Sequence, residues 1–146
     1  MMISGLIGAV KRGIITAPEQ SVPTERISNG EFSDSTDWEL GAGWAIAAGV
    51  AANATPGNSL RQFFATELPT GSASFRFDLV ANPAGDELFV QLVQANGMTL
   101  FYEIGSYVSV GTISATVPVS GLVAAIRFLV PDGGGGAVID NVSLIA

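Results

Sequence analysis

Apolar and polar residues alternate most cleanly in SFRFDLV, residues 74–80, where Phe75, Phe77 and Leu79 share one face of an extended strand and Arg76 and Asp78 the other. That strand has one wet face. Runs of the same kind recur from residue 27 onward between turn signals: ISNGEF, GWAIA, VAANA, SLRQFFA, SASFRFDLV, ELFVQLV, MTLFYEIG, VSVGTISATVPV, LVAAIRFLV and AVIDNVSLIA. In LVAAIRFLV the side bearing Ile126, Phe128 and Val130 is apolar, and the side with Arg127 and Leu129 is largely so, which places this strand near the middle of a sheet. Asn96-Gly97 suits a type I′ hairpin joining ELFVQLV to MTLFYEI. PDGGGG at 131–136 reads as a flexible loop; with no lysine and no helical pattern after it, it does not read as a phosphate cradle. About ten short strands without a helical segment predict two antiparallel sheets packed face to face.

Composition narrows the class further. At 146 residues and 48% hydrophobic content, the chain can fill one core, and 18 glycines with only 13% charged residues favour strands and tight turns. Thirteen acidic against six basic residues leave a formal charge of −7, with no basic cluster to meet a phosphate backbone, so nucleic acid is not an expected partner. No apolar run approaches the roughly 18 residues of a membrane span, so no membrane partner is expected either. In the opening MMISGLIGAV the basic pair Lys11-Arg12 follows the apolar run, the reverse of a secretion signal's order.

The first 27 residues have no aromatic side chain and no strand or helix period, and they hold both residues of the basic pair. They read as an N-terminal arm, residues 1–27, for docking or assembly, with Ile3, Leu6, Ile7, Val10, Lys11 and Arg12 as its contact residues. Residues 28–146 form the domain.

The last strand, AVIDNVSLIA, raises a question of its own. Strict alternation puts Asp140 on one face with Val138, Val142 and Leu144. A carboxylate there needs a cation, or two to three backbone N–H donors, to offset its desolvation.

Catalytic chemistry is poorly provided for. Histidine and cysteine are both absent, which removes the commonest general base and the thiol nucleophile. The carboxylates that could form a glycosidase pair, Asp34, Asp37, Glu39, Asp86, Glu87, Glu103 and Asp132, lie mostly in turn-like segments. No enzyme activity is expected. For sugar stacking the candidates are Tyr107, in the GSYVS turn, and Trp38, after the polar SDSTD; Trp44 is expected to point inward and Tyr102 to be half-buried.

Three stretches taken together, ISNGEFSDSTDWELGAGWAIAAGVAANAT, SLRQFF and the closing AVIDNVSLIA, resemble the carbohydrate-binding-module-like, or galactose-binding-domain-like, jelly-roll superfamily over residues 27–146. Its members open with N-G-x-F, carry a tryptophan soon after and close on a strand like I-D-N-V-S-L. The resemblance implies an all-β, two-sheet antiparallel jelly-roll β-sandwich, here with an extended arm. It also implies a structural calcium between acidic residues at the two ends, for which Glu31 and Asp140 are the matching positions; several calcium-binding members carry an acid where this chain has Ser33. Hydrogen bonding of Asp140 to the backbone of the first strand or its turn, and plain exposure, are the other readings. Because such domains occur both in phage particles and beside glycoside hydrolases, two functions follow as expectations. The leading one is a non-enzymatic virion protein of a tailed phage, a capsid decoration or fibre component held to capsid or tail proteins by its arm. A surface rich in alanine and glycine suggests self-association as well, with a trimer as the guess. The alternative is a carbohydrate-binding module recognising a glycan.

Overall fold

A computed structural model describes residues 22–146. The arm residues Ile3, Leu6, Ile7, Val10, Lys11 and Arg12 lie outside the described residues.

Among the described residues ten strands follow in order: β1 (Glu39–Leu40), β2 (Trp44–Ala47), β3 (Val50–Asn53), β4 (Ser59–Phe63), β5 (Gly71–Ala81), β6 (Leu88–Val93), β7 (Leu100–Tyr107), β8 (Gly111–Val119), β9 (Ala125–Leu129) and β10 (Val138–Ile145). They make two five-stranded sheets, ordered β1-β4-β9-β6-β7 and β2-β3-β10-β5-β8, and every pairing is antiparallel. The domain is a jelly-roll β-sandwich. Strand β5 alternates as its sequence predicts, with Ala73, Phe75, Phe77 and Leu79 buried, and β9 is the central strand of its sheet.

A chain of rings crosses the core. Trp38 lies 5.0 Å from Phe32 and 6.3 Å from Phe128; Phe77 lies 5.4 Å from Phe128, 5.6 Å from Phe75 and 5.6 Å from Tyr107. The packing joins the opening loop to both sheets. Buried Gln62 adds a polar clamp, its amide accepting from Ser28 N at 2.8 Å and donating to Ser28 O at 2.8 Å, which mimics a strand pairing.

The two ends of the domain meet. Val142 N donates to Gly30 O at 2.9 Å and Arg26 N to Leu144 O at 2.8 Å, while Thr24 and Ala146 exchange backbone bonds. The Glu25 carboxylate accepts from Ile27 N at 3.0 Å, Leu144 N at 2.8 Å and the Ser143 hydroxyl at 2.5 Å. Among the described residues this pairing reaches back to Thr24, on the arm side of residue 27. ISNGEF is a turn held by these bonds, not a strand.

A β-bulge answers the question of Asp140 and corrects the expected faces. The register runs Asp140↔Asp78 and then Ser143↔Arg76, so β10 carries one extra residue at this point, and Asn141 takes φ +51°. Ile139, Val142 and Leu144 therefore point into the core. Asp140 lies on the outer face with Ser143, and its carboxylate accepts from Asn141 N at 2.7 Å. Its partner is the bulge itself, not the first strand. Across the ladder, Asp78 accepts from Asn141 Nδ2 and Thr112 Oγ1, both at 2.7 Å, and these bonds, Asn141's first, hold its carboxyl below the usual range. Asn141→Val should cost about 1–2 kcal/mol, because a β-branched residue strains the left-handed region, whereas Asn141→Gly should be near neutral. Urea unfolding of both variants checks this, and equal stability of wild type and Asn141→Val would refute the role given to the bulge.

Strands β6 and β7 pair as predicted, but through a longer turn. Gly97 N donates to Gln94 O and Gln94 N to Thr99 O, and of the central pair only Gly97 has positive φ, so the turn is not type I′. The Asn96 side chain, accepting from Met98 N and Thr99 N, stabilises it instead. The glycine loop after β9 is also tied down, through Gly135 N to Asp86 Oδ2 at 2.7 Å.

Candidate functional site

The outer face of the β1-β4-β9-β6-β7 sheet carries a polar row that crosses all five strands. Register places Glu39 beside Arg61, Arg61 beside Arg127, Arg127 beside Gln91 and Gln91 beside Glu103. Arg127 and Gln91 occupy outward positions between buried apolar neighbours, Ile126 and Phe128 around the first and Val90 and Leu92 around the second, and Arg61 stands outward between buried Leu60 and Gln62. The side chains then bond along the row. Arg61 Nη2 and Nε reach Glu39 Oε1 at 2.6 and 3.1 Å, Arg127 Nε and Nη2 reach Gln91 Oε1 at 2.9 and 2.5 Å, and Gln91 Nε2 reaches Glu103 Oε1 at 3.0 Å.

Apolar side chains flank this row. Leu129 and Phe89 are register partners on one side, and Phe63 lies on the other with the Arg61 guanidinium 5.3 Å from its ring centre. Arg61 Nη1 also donates to Gly97 O at 2.9 Å, which draws the β6–β7 turn over the sheet and sets Met98, 68% exposed, at the rim. A Cβ on Gly97 would stand 2.5 Å from that guanidinium, and the φ of +73° at this position favours glycine. The result is an open groove of about 490 Å³ with Arg61, Arg127, Ser59 and Leu129 among its lining residues.

Electrostatically the groove is cationic at its centre. Burial first, and the neighbouring Arg61 charge second, push Arg127 below the ordinary guanidinium value, with Glu103 opposing. The described residues form two ion pairs, Arg61–Glu39 and Arg76–Asp78, and Arg127 is in neither.

The residues picked from sequence fall elsewhere. Trp38 is 6% exposed, packed on Phe32 and Phe128 with its Nε1 donating to Asn29 O at 3.0 Å, so its ring is core and offers no stacking platform. Tyr107 is half-buried with its ring edge on Phe77, and burial is the main cause that raises its hydroxyl pKa. Tyr102, expected to be half-buried, is the more exposed tyrosine at 38%. Glu31 is exposed beside the Asn29–Gly30 turn, while Asp140 is turned onto the opposite sheet's outer face by the bulge. Among the described residues no group of three acidic, histidine or cysteine side chains gathers to hold a metal. Glu39 and Glu103 share the groove face but stand four strand spacings apart, roughly 19 Å, well beyond the about 5–10 Å of a glycosidase pair. Sequence reasoning missed Arg61, Gln91 and Arg127 as a set. The available signal was the single polar residue in the middle of LFVQLV and of AIRFL.

The fold is similar to that of several solved carbohydrate-binding modules and of a phage tailspike. A CBM4 module superposes with TM-score 0.58 at 16% identity, over 81% of this chain and 97% of its own. The CBM22-1 xylan-binding domain of Paenibacillus barcinonensis Xyn10C superposes with TM-score 0.54 at 13% identity, over 86% and 96%. The enzymatically active domain of bacteriophage CBA120 tailspike protein 4 gives TM-score 0.53 at 17% identity, over 82% of this chain and 21% of that one. At these identities the likeness concerns the fold. No family model and no curated protein sequence matches the chain.

Proposed function

We propose that this chain is a non-enzymatic carbohydrate-binding domain that holds a glycan in the groove on the β1-β4-β9-β6-β7 face. The observation that carries this reading is the polar row of five side chains, of which Glu39, Arg61 and Arg127 line the groove together with apolar Leu40, Leu129 and Met98. Sugar rings present apolar faces and hydroxyl rims, and a groove that combines an apolar border with pre-bonded donors and acceptors matches both. The likeness to several carbohydrate-binding modules supports it. Titration calorimetry against a glycan panel should show millimolar-to-micromolar binding. Leu129→Ala, in the groove lining, and Gln91→Ala, which removes the amide that holds Arg127, should each weaken it at least tenfold with unchanged thermal unfolding, while Ser114→Ala on the other sheet should not change it. Loss of binding on Ser114→Ala alone would move the site to the other sheet.

A second reading, favoured by the tailspike likeness, sets this domain in a phage particle, with the N-terminal arm docked on a capsid or tail protein. It is tested by pull-down of tagged full-length chain against a version lacking residues 1–21, since Thr24–Arg26 pair with Leu144–Ala146. Capture of a virion protein by the full-length chain alone supports this reading; equal behaviour of the two refutes the arm as anchor.

A further inference from the structure

The groove contains one charge that no ion pair among the described residues meets. Arg127 sits at the middle of the row, half-buried, with Arg61 on one side and neutral Gln91 on the other. Glu39 is spent on Arg61 at 2.6 Å, and Glu103 lies on the far side of Gln91, two strand spacings or roughly 10 Å from the β9 backbone. A guanidinium stays protonated in proteins, and desolvating one without an anion is costly.

The geometry also says which edge of Arg127 is open. Its Nε and Nη2 both donate to Gln91 Oε1, at 2.9 and 2.5 Å. One edge of the planar fork is thereby fixed against the sheet by an amide that Glu103 itself holds at 3.0 Å. The other edge, Nη1–H with the second Nη2–H, has no bond within the described residues. Two parallel N–H donors on a fixed plane are the arrangement that receives a carboxylate bidentately.

We propose that Arg127 reads a negative charge, and that the saccharide taken by this groove is an acidic one whose uronate carboxylate docks on the open edge of the guanidinium. This rests on the glycan-binding reading above and adds the substrate class to it. Gln91 is the positioning residue, and the apolar border supplies contact with the sugar ring.

The test is calorimetry on the full-length chain with oligogalacturonate, alginate oligosaccharides and glucuronoxylan oligosaccharides, each beside its methyl-esterified or carboxyl-reduced counterpart, with neutral xylohexaose and a sulfated oligosaccharide as further probes. At least one free acid should bind tenfold or more tighter than its neutral counterpart, and that preference should shrink between 50 and 500 mM NaCl. Arg127→Gln should bring the acid-to-neutral ratio to within about twofold of unity, and Arg127→Lys should leave an intermediate ratio. The wild-type comparison stands alone if a variant fails to fold. Neutral saccharides bound as well as their acids would overturn the inference and leave the glycan reading intact. So would an acid preference that survives Arg127→Gln, or sulfated sugar bound in place of every uronate. No binding to any probe would overturn both.

Discussion

Replacing Phe77 by alanine is expected to remove about 3–5 kcal/mol of stability, the range for deleting a fully buried aromatic ring. Phe77 has no solvent exposure and contacts Phe75, Tyr107 and Phe128, so its loss opens a cavity where both sheets meet. Against the roughly 5–15 kcal/mol that holds a typical domain, the change is large. Urea unfolding followed by the fluorescence of Trp38 and Trp44 measures it, with Phe77→Leu as a milder control expected to lose under about 1.5 kcal/mol. A loss below 1 kcal/mol in the alanine variant would mean that the chain of rings is not the centre of the core. The consequence reaches the groove, because Phe128 packs on Phe77 and is the residue after Arg127 on β9.

Gly30→Ala is the second large effect. A Cβ at this position would stand 2.0 Å from Val142 O and 3.3 Å from Ile27 Cγ2. The first of these is backbone and cannot rotate away, so the opening loop must lift from β10 and weaken the Val142 N–Gly30 O bond of 2.9 Å. Overpacking together with a lost hydrogen bond should cost about 2–4 kcal/mol, while Glu31→Ala next to it, an exposed position, should stay within about 0.5 kcal/mol of wild type. Amide hydrogen exchange at Val142 gives an independent readout. Unchanged protection there in Gly30→Ala would sink the explanation.

That explanation is what the N-G-x-F and I-D-N-V-S-L stretches mean physically. Asn29 takes φ +52°, and its side chain bonds Ser33, Asp34 and Thr36 to shape the turn. Gly30 permits the approach to β10, and Phe32 fills the core beside Trp38. The tryptophan that follows the motif is part of this packing, and for that reason it is not a sugar platform.

Strand existence, the central place of β9 and the pairing of β6 with β7 were legible because each depends on alternation or on short-range turns. Asp140 was misplaced because strict alternation assumes an unbroken ladder, and one Asn in the left-handed region shifts every later residue by one face. Asn141 was the visible hint, since asparagine tolerates that conformation better than most residues. Tyr107 looked exposed beside a turn, and it is β7's position over Phe77 that half-buries it.

Local pattern, then, was enough to determine an all-β sandwich and most of its strands, since whether a residue faces core or solvent is written in its immediate neighbours. The groove was decided by tertiary structure. Its row is assembled from residues 39, 61, 127, 91 and 103 in spatial order, and the nearest two in sequence, Gln91 and Glu103, are twelve positions apart. What brings them together is the register of strands far apart in sequence, set by how the two sheets bury Phe77, Phe128 and Leu60 on their inner faces; the outer faces, and the half-buried charge of Arg127, follow from that packing.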